Sequence, residues 1–138
     1  MMRLRPKAWI AASVVAVTMS CGGDGDEITV PPTPSADPGF VNVSLSTPNS
    51  NDGAIMFTLA GGVIDSLTPA GGTLFSASTG TNRFRAIVAG TITDGTVLRF
   101  WMPDRRNIAS YTATLEQAAA RSTYEQQGLS GYSLSIVP

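Results

Sequence analysis

Six carboxylate side chains between residues 40 and 138 are the groups best suited to acid–base chemistry. They are Asp52, Asp65, Asp94, Asp104, Glu116 and Glu125. A glycoside hydrolase needs two such groups about 5 to 9 Å apart in one cleft. Asp52 and Asp94 each precede a glycine, where an aspartate commonly binds the backbone of its own turn. The sequence therefore predicts a protein that is not an enzyme, and a carboxylate-based hydrolase is the remote alternative.

Composition removes most other catalytic classes. The chain of 138 residues contains no histidine and one cysteine, so it cannot by itself form the usual zinc sites, a Ser-His-Asp triad or a Cys-His dyad. We expect no cofactor and no metal ion. Nine basic and ten acidic residues give a formal net charge of −1, whereas a nucleic-acid-binding domain has a basic excess. We therefore expect no nucleic-acid partner.

Two pairs of residues have the spacing of a binding surface. Arg99 and Trp101 lie two residues apart, as do Arg83 and Arg85, so each pair shares one face of an extended strand. On exposed faces they would form an arginine–aromatic surface that stacks on a sugar ring or holds a protein partner. The alternative is that Trp101 belongs to the core and the arginines solvate a sheet edge.

A charged turn follows Pro103 and contains two further candidates, Arg105 and Arg106. Loops carry many of the binding residues of proteins, so an interaction loop is one interpretation of this turn. The favoured interpretation is a surface loop whose charges pair with one another.

Apolar and polar residues alternate with period two between turn signals, which predicts half-buried strands. The predicted strands span residues 40–46, 54–59, 63–67, 74–78, 83–89, 96–102, 111–117 and 131–137. A single sheet would leave an apolar row uncovered, so two sheets must face each other. The predicted fold class is an all-β, two-sheet antiparallel β-sandwich of the immunoglobulin-like or jelly-roll type.

Two segments are harder to interpret. Asp94-Gly95 predicts a hairpin that joins the strands on either side of it. The apolar rows of both strands reach one core only if Gly90 forms a bulge or the loop is longer. The bulge is the favoured interpretation, and the orientation of Trp101 stays open. Residues 115–127 contain many helix formers and are interpreted as irregular, either a short helix or a loop across the end of the sandwich.

The first twenty residues have the parts of an export signal. Three basic residues come first, at positions 3, 5 and 7, and an apolar run follows at 8–19. Spanning a bilayer takes about 20 apolar residues, so this run is better suited to a signal peptide than to a membrane helix. Removal of residues 1–20 would leave six arginines and ten acidic residues, a mildly acidic chain.

The residues around the single cysteine, Cys21, resemble the lipobox of bacterial lipoproteins. Ser20 precedes the cysteine and Gly22-Gly23 follows it. The resemblance implies that the thiol of Cys21 is lipidated and holds the exported protein on a membrane of the bacterial cell envelope, in the periplasm or on the outer surface. Two or more acyl chains give stable attachment. The alternative is an ordinary secretory peptide with an incidental cysteine.

Residues 21–39 are rich in glycine, proline and acids, and such a segment buries too little apolar surface to fold. We expect it to be a flexible tether. Its acids, Asp24, Asp26 and Glu27, lack the spacing of a calcium-binding EF-hand loop. The predicted domains are thus a signal peptide at 1–20, the lipidated cysteine and tether at 21–39, and the β-sandwich at 40–138.

The order of the predicted strands resembles the cohesin-like domains of bacterial extracellular proteins, which are similar to carbohydrate-binding modules. The segments that carry this resemblance are GAIMFTLAGG (53–62), VIDSLTPAGG (63–72), FRAIVAG (84–90), DGTVLRFWMPD (94–104), ASYTATL (109–115) and GYSLSIV (131–137). The resemblance implies an immunoglobulin-like sandwich that binds and does not catalyse. No dockerin-contacting residue is matched, so dockerin binding is not implied.

These observations predict a membrane-anchored envelope lipoprotein whose sandwich binds a protein or a polysaccharide. The alternative is a structural envelope module that associates through the edges of its sheets.

Overall fold

A computed structural model describes residues 31–138, and these contain nine strands and one short helix. The strands are β1 (Gly39–Ser46), β2 (Asp52–Ala60), β3 (Asp65–Pro69), β4 (Thr73–Gly80), β5 (Arg83–Ala89), β6 (Gly95–Met102), β7 (Thr112–Ala120), β8 (Gln126–Gln127) and β9 (Ser133–Val137). A 3₁₀ helix, Arg105–Ser110, precedes β7. The predicted signal peptide, Cys21 and the first part of the tether lie outside the described residues, and 31–38 have no regular secondary structure.

The strands form two antiparallel sheets, which confirms the predicted all-β sandwich. The four-stranded sheet has the order β3-β6-β1-β9, and the five-stranded sheet has the order β4-β5-β2-β7-β8. The core between them is built from the apolar row of each strand, because successive side chains of a strand point to opposite faces. Its fully buried members include Val41, Val43, Ile55, Phe57, Leu59, Val88, Leu98, Phe100 and Met102.

The predicted hairpin at Asp94-Gly95 is wrong, because β5 and β6 belong to different sheets. β5 pairs with β2 and β4, whereas β6 pairs with β1 and β3. The connection crosses from one sheet to the other. The amide of Ile92, whose side chain is buried, donates to the carbonyl of Asp52 at 3.1 Å and anchors this crossing. The apolar rows of both strands reach one core from opposite sides, so no bulge at Gly90 is needed to explain them.

The interpretation of residues 115–127 as irregular is wrong for the first half of that stretch. β7 continues to Ala120, and a turn then leads to the two-residue strand β8. A register shift between Met56 and Phe57 on β2 marks a bulge in β7. Leu115 packs on the core before this bulge and Ala118 is buried after it, so the alternation changes phase within the strand.

Candidate functional site

Two aromatic rings and a guanidinium group come together on the outer face of the four-stranded sheet. On β6, Leu98, Phe100 and Met102 are buried, so the residues between them point outward. Phe40 of β1 pairs directly with Trp101 of β6, and paired residues share a face. Arg99 Cζ lies 5.3 Å from the centroid of the Phe40 ring. We call Phe40, Arg99 and Trp101 the aromatic–arginine face.

This face is accessible to a ligand. The Phe40 side chain is 42% exposed, Arg99 is exposed, and Trp101 is partly buried. Trp101 is therefore an outer-face residue of the sheet and not a core residue, which settles the orientation that the sequence left open. Sequence reasoning placed Arg99 and Trp101 on one face but missed Phe40. Nothing in the sequence indicates that β1 lies beside β6.

Polar groups surround the aromatic–arginine face on the neighbouring strands. Asn42 of β1 and Thr68 of β3 pair with Arg99 from either side, and Asp65 of β3 pairs with Trp101. Within residues 31–138, no carboxylate lies within ion-pair distance of the Arg99 guanidinium. The guanidinium makes a cation–π contact with the Phe40 ring, and such a contact leaves its N–H donors available for hydrogen bonds. The face can stack on a flat ring and also exchange hydrogen bonds with hydroxyl groups.

Arg83 and Arg85 lie on the opposite side of the molecule, because β5 belongs to the five-stranded sheet. Arg85 Nε is 3.0 Å from Glu116 Oε2, and the hydroxyl of Thr58 also donates to Glu116. The pKa of Glu116 is lowered mainly by the hydrogen bond from Thr58 and to a smaller degree by the charge of Arg85. The pair Arg83 and Arg85 and the pair Arg99 and Trp101 therefore do not form one surface.

The charged turn pairs with its own neighbourhood. Arg105 forms a bidentate ion pair with Asp37, with Nη2–Oδ1 at 2.8 Å and Nε–Oδ2 at 3.1 Å. Arg106 Nη2 lies 2.6 Å from Asp104 Oδ2, and this hydrogen bond holds the pKa of Asp104 well below its usual range. Both arginines have carboxylate partners, so the surface-loop interpretation fits the turn better than the interaction-loop interpretation.

The one buried polar side chain among the described residues is Asp52, which has no exposed surface. Its Oδ2 accepts from the hydroxyl of Thr47 at 2.5 Å, and its Oδ1 accepts from the phenol of Tyr132 at 2.6 Å. Asn49 Nδ2 donates to the Tyr132 oxygen at 2.8 Å and to Gln127 Oε1 at 3.1 Å. Burial, followed by the hydrogen bond to Asp52, raises the pKa of Tyr132. These five side chains form the Asp52 network.

The Asp52 network connects the first residue of β2 to the segment before β9. Asp94 lies near it, since Asp94 Oδ1 accepts from the amide of Thr47 at 2.6 Å. Asp52 is nevertheless inaccessible, and the open cleft beside Thr47 is lined by Asp94 and not by Asp52. The two carboxylates therefore do not face a substrate together. Sequence reasoning interpreted Asp52 as a turn residue and missed this network, because its partner Tyr132 is 80 residues away.

The outer face of the five-stranded sheet carries an apolar row that the sequence analysis did not single out. Phe75 of β4 pairs with Ile87 of β5, and Ile87 pairs with Met56 of β2. Phe75 is 60% exposed. One signal was present in the sequence: Ile87 alternates with Arg83 and Arg85, so it had to share their outward face.

No protein-family model, curated protein or solved structure matches this chain. The cohesin-like resemblance therefore rests on the sequence patterns alone. In residues 31–138, no three side chains of the metal-binding types come together as a metal site would require. The same part of the chain has no helix of the length and hydropathy needed to cross a bilayer.

Proposed function

We propose that the protein is a cell-envelope lipoprotein, held on a membrane through lipid on Cys21, whose sandwich binds a polysaccharide without catalysing a reaction. The observation that carries the binding proposal is the juxtaposition of Phe40, Arg99 and Trp101 on one accessible sheet face. The anchoring proposal is supported by the sequence pattern around Cys21.

The geometry of the aromatic–arginine face suits a sugar ring. Neighbouring strands lie about 4.8 Å apart, so the directly paired residues Phe40 and Trp101 present their apolar side chains side by side on one face of the sheet. A pyranose ring has an apolar face that packs on such a surface and hydroxyl groups around its rim. Arg99, Asn42 and Asp65 supply donors and acceptors at the edge of this surface, where those hydroxyl groups would lie.

Charge favours a neutral glycan over a polyanion. Without residues 1–20 the chain carries six arginines and ten acidic residues. Four of the arginines are on other surfaces, in ion pairs with nearby acids or, in the case of Arg83, beside Glu116. One unpaired guanidinium beside two aromatic rings selects for hydroxyl groups and ring faces rather than for a high density of negative charge.

The test is a glycan array, followed by titration of the best ligand with Trp101→Ala and Phe40→Ala. Each variant should bind at least about tenfold more weakly, which corresponds to a loss of about 1.4 kcal/mol of stacking and apolar contact. Phe75→Ala is the matched control, because it removes an exposed aromatic ring from the opposite sheet. Melting temperatures of all three variants separate lost binding from lost folding.

An array without hits contradicts the polysaccharide proposal, and loss of binding by Phe75→Ala alone contradicts the assignment of the face. A protein ligand of the same face would appear as a purified partner whose binding is lost in Trp101→Ala while the array stays silent. The anchor is tested separately with Cys21→Ser, which should release the protein from the membrane fraction. Continued membrane retention of that variant would contradict the proposed lipid attachment.

A further inference from the structure

The four strands at the sheet edges differ in how they expose their backbone. An unpaired edge is a template for another strand, and proteins protect such edges with charges, prolines, irregular register or short length. β3 has five residues and combines Asp65, Pro69, a positive φ of 51° at Ser66 and a register shift. β9 has five residues and is followed by Pro138, and β8 has only two.

β4 is the unprotected edge. It has eight residues, TLFSASTG, and contains no charged residue and no proline. Seven of the eight are exposed, including Phe75 at 60%. Only its β5 side is paired in the described part of the chain, so the hydrogen-bonding groups along the other side have no strand partner.

We propose that β4 pairs antiparallel with β4 of a second copy of this chain, which joins two five-stranded sheets across a two-fold axis. An antiparallel edge is its own complement, because a rotation by 180° brings the donors of one strand opposite the acceptors of its copy. Residues near the axis meet their own copies, so any charge there would be repelled by itself. The absence of charge from all eight residues of β4 removes that obstacle.

The side chains of β4 are compatible with this pairing. Phe75 and Ala77 share the outer face with Ile87, which pairs with Phe75. With the axis at Ser76, Phe75 would lie opposite Ala77 of the second copy, and the small alanine leaves room for the ring. The apolar row that runs from Met56 through Ile87 to Phe75 would then continue across the junction.

The size of the contact predicts weak association in dilute solution. One pair of edge strands buries less than the roughly 1,200 Å² typical of stable complexes. Confinement on a surface raises the effective concentration of a second copy, so pairing is expected mainly where many copies share a membrane. This part of the inference uses the proposed anchor, whereas the pairing itself does not depend on glycan binding.

Single cysteines along β4 test the proposal in membranes from cells that make the full chain. Each residue from Thr73 to Thr79 is replaced in turn, and disulfide-linked dimers are measured after mild oxidation. A disulfide requires Cα atoms about 4.4–6.8 Å apart, so linkage should peak at the position nearest the axis and fall on both sides. Ser135→Cys on the β9 edge is the matched control, and the unsubstituted chain reports any linkage through Cys21.

A second experiment places a charged residue on the edge strand β4. In the best-linking cysteine variant, Ala77→Lys should abolish dimer formation, whereas Ser135→Lys should leave it unchanged. Linkage that is absent from β4, equal at all positions, or no stronger than at Ser135 would overturn the proposal. Disulfide adducts of β4 cysteines with other proteins and not with a second copy would also overturn it. Loss of glycan binding in Trp101→Ala together with normal β4 linkage would separate this inference from the proposed function.

Discussion

The chain has three tyrosines whose hydroxyl groups have different surroundings, so one substitution, Tyr→Phe, compares three environments. The Tyr132 hydroxyl donates to the buried carboxylate of Asp52 at 2.6 Å. The Tyr111 hydroxyl donates to the carbonyl of Val63 at 2.8 Å. Tyr124 is 83% exposed. The free energy of unfolding should fall most in Tyr132→Phe, less in Tyr111→Phe, and little in Tyr124→Phe.

The expected magnitudes follow from the acceptors. A hydrogen bond to a charged group contributes about 1.5–3 kcal/mol, and one to a neutral group contributes about 1 kcal/mol. Tyr132→Phe leaves the fully buried Asp52 with the hydroxyl of Thr47 as its remaining side-chain donor. Tyr124→Phe should change stability by less than about 0.5 kcal/mol, as is usual for exposed residues. A loss of about 2 kcal/mol in a domain of this size lowers the melting temperature by roughly 8–16 °C.

The assay is urea unfolding of the three variants, with the slope against denaturant concentration checked for constancy. The reasoning is refuted if Tyr132→Phe is as stable as Tyr124→Phe. Alkaline pH gives a second readout, because burial raises the pKa of both Tyr132 and Tyr111 above the ordinary value of 10.0. The two tyrosines contribute fully to the free energy of unfolding below pH 10.0, where both states are neutral. This contribution is lost as pH rises through their pKa values in the folded protein, because the tyrosines of the unfolded chain ionise at lower pH. Each Phe variant should lose less stability than the unsubstituted chain over that alkaline range.

Two further predictions concern backbone conformation and charge. Gly72→Ala should destabilise the protein by about 1–3 kcal/mol or more in thermal unfolding, because its φ of +71° is strained for alanine and the new Cβ would lie 2.2 Å from the carbonyl oxygen of Ala89. Gly71→Ala is its control, since a Cβ there meets nothing within 4 Å, and equal effects at both positions would contradict the argument. Asp104→Asn should lower the melting temperature at neutral pH and low salt, because Arg106 depresses the pKa of Asp104. That difference is present above the ordinary pKa of 3.8 and should shrink as pH falls through the folded value, so a difference that grows in acid would contradict it.

The sandwich could be predicted from the sequence because alternation is a local property. The spacing of Val41, Val43 and Leu45 indicates that one face of β1 is buried, even when the neighbouring strands are unknown. Which strands pair is not local. Asp94-Gly95 has the composition of a hairpin turn, yet the chain crosses between sheets there, because the buried side chain of Ile92 and its amide hydrogen bond to Asp52 hold the crossing.

The second half of β7 could not be predicted from the sequence, because a bulge interrupts the alternation of apolar and polar residues there. Alanine and glutamine have high helix propensity, and the change of phase between Leu115 and Ala118 removed the alternation that would have countered it. Tertiary packing of small alanine side chains under the other sheet decides the strand conformation, and propensity does not include that packing.

Two of the three residues of the aromatic–arginine face could be predicted from the sequence, and the third could not. Arg99 and Trp101 share a face by spacing alone, so the sequence placed them together. Phe40 joins them only because β1 and β6 are neighbours, and these strands are separated by four others along the chain. The Asp52 network depends on contacts of the same long range, so no local pattern announces it.

The position of β1 determines how the domain would respond to a mechanical load. β1 is the first strand of the sandwich and has hydrogen-bonded neighbours on both sides, β6 and β9. A force applied through the segment before Gly39 acts along the axis of β1, so the ladders on both sides resist in shear and must break together rather than one bond at a time. Resistance to such a force is governed by the unfolding rate, and a first strand at a sheet edge would peel away far more readily. A domain pulled from this end would therefore keep its fold until both ladders of β1 give way.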